Sequence, residues 1–471
     1  MSVSVDDIKF RKSVRQTDTS TNGGRKGNVQ VISGARHNLF PRVTKAERTN
    51  GITRYRKQFW SNENPSDQSA YGVLIFFEFP STGDDYYQLA LGTQTDVQSD
   101  IGGNIIWNGI GKLNTSLSGA ETQVVLEMSD NTFDFYNGSY LHISNKLQTS
   151  QTVSAGVKVG DSVEEIGGTW QKIASTNEVV YPKGLYVGNN NVLSITDSTN
   201  EEWATIKAMQ TTDEVIGTGV AGNQTPSLNN LSPVRGIQGK GEYAPVVKAT
   251  CGGIEREVTI NPDGSCAGYC SAGQLDLTTG NWVSPITWST APDSGTGIKI
   301  DWADIPYSYS GNTVTVELDT AIANSYSAAN TYASGCLKVD EVKATFDQVN
   351  INSGNGTYDI SGFPIGLFND GTEEDSFTIQ FTSSTTFNCS SMYLGSLGSG
   401  TISGDYTPMN PNTGQYLFAL RSGGWGGTWQ SGDTLTFRTH PSAVPIWLKE
   451  EVPTGTAEEP NNLLVLGWYA E

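Results

Sequence analysis

Residues 72–80 read GVLIFFEFP. Val73 through Phe77 are apolar at every position, and only Glu78 interrupts the run before Phe79 and Pro80. The run is too short for a long helix and rich in β-branched and aromatic side chains, which predicts a strand buried on both faces and ended by Pro80. Left exposed, such a segment is an aggregation hazard, so the rest of the chain must cover it.

Downstream, strands are predicted at 86–91, 105–107, 123–128, 133–136 and 140–143, several of them separated by turns such as Ser129-Asp130-Asn131 and Asn137-Gly138. This spacing points to a sandwich or barrel. Residues 200–209 read as a short helix, and 217–240, rich in Gly, Asn, Ser and Pro, as a loop or linker. Residues 243–305 form a compact β module with strands at 246–249, 254–260, 274–277 and 298–302. Further strands follow at 313–318, 376–381, 415–420 and 434–437. The apolar terminus, 463–469, is expected to be tied into a sheet. No segment repeats with a clear period.

The 471 residues exceed what one core organises, so several domains are expected. Charged residues make up only 17%, leaving a polar surface of Ser, Thr, Asn and Gly that suits β structure better than helices. The fold class is therefore mainly β, built of antiparallel sandwich or barrel modules with an extended amino-terminal arm. The segments are 1–60 (arm), 61–240 (β domain with a loop-rich end), 241–305 (small sandwich-like module) and 306–471 (closing β domain).

The arm stands apart by charge. Residues 1–60 hold thirteen Lys or Arg against four acids, +9, whereas the rest holds sixteen against forty-five, −29. Much of the positive charge lies in residues 34–60, GARHNLFPRVTKAERTNGITRYRKQFW. A basic segment seeks something negative, and the nearest acidic surface is the body of the same chain or of a neighbouring copy. Specific nucleic-acid binding is not expected, because a body of this sign repels phosphate. The opening MSVSVDDIKF lacks the apolar core of a secretory signal, and no membrane span is present. The five cysteines, an odd number, read as reduced thiols.

Little in the chain points to catalysis. The three histidines, His37, His142 and His440, fall in different segments, without a nucleophile elbow or a catalytic-cysteine context. Cys266 and Cys270 lie close in sequence, with Cys251 upstream, but a zinc site there lacks a fourth ligand at suitable spacing. Carboxylate pairs suited to glycoside hydrolysis are available at Asp84-Asp85, Glu164-Glu165, Glu373-Glu374-Asp375 and Glu458-Glu459, yet adjacent acids point apart and usually face solvent. Trp425 and Trp429, set among glycines, read first as anchors of a hairpin and second as a platform for glycans. Phosphate-loop and dinucleotide fingerprints are absent. No catalytic residue, cofactor or metal is therefore assigned.

The segment Asn38-Leu39-Phe40-Pro41, followed by Glu47-Arg48-Thr49-x-Gly51 and Arg56-Lys57, resembles the amino-terminal signature of virion structural proteins of contractile-tailed bacteriophages, the Mu-like phages and their relatives. An aspartate often stands in that family where this chain has Glu47. The likeness continues at Gly109-x-Gly111-Lys112-Leu113, Tyr140-Leu141-His142-Ile143-Ser144, Gln274-Leu275-Asp276 with Thr279-Gly280, and Glu459-Pro460-Asn461-Asn462-Leu463 with Leu466-Gly467-Trp468-Tyr469. It spans nearly the whole chain in short islands and is thinnest from 150 to 240. The resemblance implies a non-enzymatic virion component, made in the host bacterial cytoplasm and placed at the neck or collar. Its partners would be copies of itself in a ring and other head–tail proteins. A tail or baseplate appendage binding host glycans is the alternative.

A closed ring needs head-to-tail interfaces, and a basic arm on an acidic neighbour supplies direction and register. Arg48, Arg54, Arg56 and Lys57 are accordingly expected to meet carboxylates, some of them from another copy.

Overall fold

The computed structural model describes residues 3–32, 37–145, 200–459, 462 and 464–471, and between 147 and 197 the backbone of five short strands. The chain is mainly β, and its sheets are antiparallel. Among the described residues, no helix is long and apolar enough to cross a membrane.

The run at 72–80 lies in a strand, β4 (Ala70–Phe79), after β1 (Ile8–Arg15), β2 (Gly23–Gln30), the helix α1 (Lys45–Asn50) and β3 (Ile52–Asn62). It is the middle of a three-stranded sheet, between Leu337–Val342 and Val465–Tyr469. Side chains alternate across a strand, so its apolar run serves two cores. Val73, Ile75 and Phe77 enter one with Trp60 and Ile446, while Leu74 and Phe76 enter another with Cys336. The apolar carboxy terminus is tied in as expected, with Gly467 opposite Phe76 and Trp468 opposite Ile75.

The amino-terminal arm docks on the chain's own body. Its strands β1, β2 and β3 form a five-stranded sheet in the order β2-β1-β3, then Ala443–Val452, then β5 (Tyr86–Leu91). β3 pairs with the late strand from Ile52↔Val452 to Ser61↔Ala443.

A seven-stranded sheet joins β6 (Ile110–Leu113), β7 (Gln123–Glu127) and β8 (Tyr140–Ser144) to Glu201–Thr205, Tyr307–Ser310, Thr313–Glu317 and Tyr332–Gly335. The module around 243–305 has its own core, but an edge strand, Gln210–Thr218, and the buried Leu231 and Ile237 precede the expected boundary at 240. Likewise, within 306–471 the strands between Thr345–Asn352 and Thr434–His440 enclose a separate core. The strands on either side of that stretch complete sheets begun earlier in the chain. Linear boundaries therefore cut across the sheets, because strand pairing joins distant segments.

Four local expectations are corrected. Residues 200–209 contain a strand, Glu201–Thr205, in place of a helix; Trp203 and Thr205 suit a sheet, and pairing with β8 outweighs weak helix propensity. Segments 105–107 and 133–136 join no ladder. They hold each other through Asp134, whose N–H donates to Trp107 O (2.7 Å) and whose carboxylate accepts from Trp107 N–H (3.1 Å), while Phe133 and Phe135 fill the core. Of 415–420, only Phe418–Ala419 is strand.

The candidate assembly site on strand β3

α1 begins with a capping box in which Thr44 Oγ1 accepts from Glu47 N–H and the Glu47 carboxylate accepts from Thr44 N–H. It ends at Gly51, whose φ of +76° suits glycine. This turn aims β3 into the middle of its sheet, between β1 and Ala443–Val452. Residues that would be half-exposed on an edge are thus buried on both faces: Arg54 and Arg56 are each 3% exposed and Lys57 is fully buried.

Buried cations need partners. Arg54 pairs with Glu450, directly opposite in the register, and its Nη1 lies 3.8 Å from Glu47. The other Glu450 oxygen accepts from Tyr87 Oη (2.8 Å), which also lies 3.0 Å from Asp85. Asn462 Nδ2 donates to both Asp85 oxygens at 2.7 Å. Burial raises the Glu450 carboxyl against the opposing pull of Arg54, and burial with the two nearby carboxylates pushes Tyr87 well up.

Arg56 acts as a clamp. It donates to Leu39 O (3.2 Å), Thr17 O (3.0 Å) and Tyr55 O (2.7 Å) and pairs with Asp18 at 2.6 Å. The Phe40 ring lies below both guanidiniums, 5.5 Å from Arg56 and 6.0 Å from Arg54. Lys57 donates to Gly24 O (2.8 Å) and pairs with Asp96, whose other oxygen accepts from Trp447 Nε1 (2.7 Å). Burial lowers the Lys57 ammonium, opposed by Asp96. Arg48, largely covered, shares Glu458 with the exposed Arg42 at 3.4 and 3.1 Å.

All four predicted residues therefore meet carboxylates, and each carboxylate belongs to the same chain. Arg54 and Lys57 lock the arm to the body through Glu450 and Asp96, whereas Arg56 ties the arm's own segments together through Asp18, Thr17 and Leu39, and the burial of all three takes them out of the exposed surface. Arg11 with Glu63 and Arg25 with Glu373 extend the same pattern to β1 and β2. The signal that sequence reasoning missed was the apolar half of β3: Phe59 and Trp60 follow the cations after Gln58 and pull the strand into the core.

The other candidates fall as follows. Glu373, Glu374 and Asp375 do point apart, toward Arg25, Arg438 and Ser391 respectively, but they are buried and not surface charge. Glu164-Glu165 lies outside the residues whose side chains are described, as do Pro460, Asn461 and Leu463 of the last island. His37 is exposed, and His440 lies between Glu374 and Asp347. All five cysteines are free. Trp429 is 1% exposed and stacks on Phe381 at 4.2 Å, with Trp425 edge-on at 5.5 Å, so both tryptophans anchor the hairpin to the core.

No family model, curated protein or solved structure matches this chain.

Proposed function

We propose that this chain is a non-enzymatic structural component of a tailed-bacteriophage particle, a neck or collar protein that forms a ring at the head–tail junction. The observation that carries the reading is the spatial convergence of several of the islands that resemble that family, those at 38–57, 140–144 and 459–469. Phe40, Arg54 and Arg56 meet in one cluster, and Asn462 joins it through Asp85, Tyr87 and Glu450. Trp203 links one further island, at 140–144, to that of Asn462, since its ring lies 5.3 Å from His142 and 5.6 Å from Tyr469. Residues scattered over the sequence thus belong to one packed framework.

Charge supports the same reading. Arg54, Arg56 and Lys57 are paired inside the fold, and the chain as a whole keeps a net charge of −20. A ring around the path of a genome must let nucleic acid pass, and an acidic surface repels it. Copies then meet through surfaces other than the β3 pairs. The test is antibody labelling of purified particles read by electron microscopy. Label at the head–tail junction is expected. Label at the tail tip overturns the placement, and absence of the chain from purified particles by mass spectrometry overturns the reading altogether.

A further inference from the structure

Glu78, His142 and Glu201 each offer a ligand atom, and these atoms lie within 4.8 Å of one another. The three residues come from three strands in two sheets: β4 in the three-stranded sheet, and β8 and Glu201–Thr205 in the seven-stranded one. The register explains the meeting. His142 is opposite Trp203, so Glu201, two residues along, shares its face and reaches it diagonally at 2.7 Å. Phe76 packs its ring 4.1 Å from the imidazole, and Glu78, two residues further on the same face of β4, arrives from the other sheet.

We propose that these three side chains bind a divalent transition metal, zinc by the character of the donors, which ties the two sheets together. An imidazole with two carboxylates suits zinc, whereas magnesium and calcium favour oxygen alone. A tetrahedral zinc with bonds of about 2.0–2.2 Å sets its donors roughly 3.4 Å apart. Donors already within 4.8 Å close onto such an ion by side-chain rotation.

Two independent features shape the place. Gly467, opposite Phe76, leaves the room the Glu78 carboxylate occupies: a Cβ there would stand 2.7 Å from Glu78 Oε1 and 2.5 Å from the Phe76 ring. The indole N–H of Trp203, whose ring lies 5.3 Å from the imidazole, is buried and has no hydrogen-bond partner among the described residues. It is a donor left over beside the ligands. His142 is 1% exposed, while a quarter of the Glu201 side chain is open. The fourth position therefore faces solvent on the Glu201 side, where a water completes the tetrahedron.

The experiment uses the full chain, stripped with a chelator and titrated with Zn²⁺ and Co²⁺. One zinc per chain is expected, with a thermal midpoint that rises with zinc concentration, as a ligand selective for the folded state requires. Bound Co²⁺ is expected to show visible bands of a four-coordinate nitrogen and oxygen site without thiolate charge-transfer absorption, which excludes the five cysteines as ligands. Glu201→Gln keeps the side chain's size and, with unchanged circular dichroism, should weaken zinc at least tenfold; His142→Ala should abolish binding. Failure to bind zinc, thiolate bands with Co²⁺, or unaltered affinity in Glu201→Gln overturns the proposal and leaves an imidazole–carboxylate cluster that serves packing alone.

Discussion

Arg54 and Glu450, 396 residues apart in sequence, stand opposite each other in the ladder between β3 and Ala443–Val452 and pair where each side chain is 2% exposed. The contact closes the chain's two ends onto one sheet. Removing one partner strands a buried charge, which costs about 3–5 kcal/mol. Arg54→Met alone should lower unfolding stability by that amount in urea. Arg54→Met with Glu450→Leu should recover most of it, since a matched apolar pair carries no desolvation cost. A single variant that loses less than about 1 kcal/mol would contradict the lock.

Alkaline pH should unfold the protein cooperatively. Burial, with nearby carboxylates, raises Tyr87 and Tyr307 well above the usual value of 10, and burial first, then Glu242, pushes Tyr136 up to about 12. Above pH 10 the unfolded chain loses phenolic protons that the folded chain keeps, so the unfolded state is favoured. This stability is fully present below pH 10 and is lost as pH rises toward the folded values. Tyrosine absorbance near 295 nm should rise in step with loss of β-sheet circular dichroism. Smooth ionisation of all nineteen tyrosines before any unfolding would count against it.

Thiol chemistry should separate the folded from the unfolded chain. Burial pushes Cys389 up to about 12, and burial with neighbouring Cys270 does the same to Cys266. The thiolate is the reactive form. A thiol reagent at pH 8 should therefore find five groups in denaturant and react slowly with the native protein. Rapid reaction of all five in the native state would refute the burial.

Trp429→Ala should act on stability. Its ring stacks on Phe381 at an interplanar angle of 8° inside the carboxy-terminal core, and losing a buried tryptophan costs about 3–5 kcal/mol. Differential calorimetry should show a lowered midpoint. A fully stable variant defective only in glycan binding would restore the platform reading.

Some of this was legible from local sequence. The apolar run at β4 announced a doubly buried strand because Val73 to Phe77, odd and even, are all apolar, and a strand sends them to both faces. Most of the separate core around 243–305 was visible because its strands are near neighbours joined by strong turns such as Asn261-Pro262-Asp263-Gly264, whereas the contributions of Ile216, Leu231 and Ile237 were not. The strand at Glu201–Thr205 was not, since Glu and Ala favour helix and only its partner β8 settles the matter.

The candidate site divides the same way. That Arg54 and Lys57 would find carboxylates of the body followed from the charge balance between arm and body, which is a property of composition, whereas Arg56 found Asp18 within the arm itself. Which carboxylates they found did not follow, because Glu450, Asp18 and Asp96 lie at unrelated sequence distances. The meeting of Glu78, His142 and Glu201 was invisible for the same reason, with no spacing to mark it.

By itself, the sequence determined that this protein is built of β-strands and that its basic first segment must be neutralised. Both follow from local side-chain chemistry and from counting charge. Only the tertiary structure decided which of the chain's own carboxylates meet Arg54, Arg56 and Lys57, and which strands share a sheet. Strand pairing uses backbone groups that every residue carries, so the choice among distant partners rests on side chains meeting across a register that no local pattern encodes.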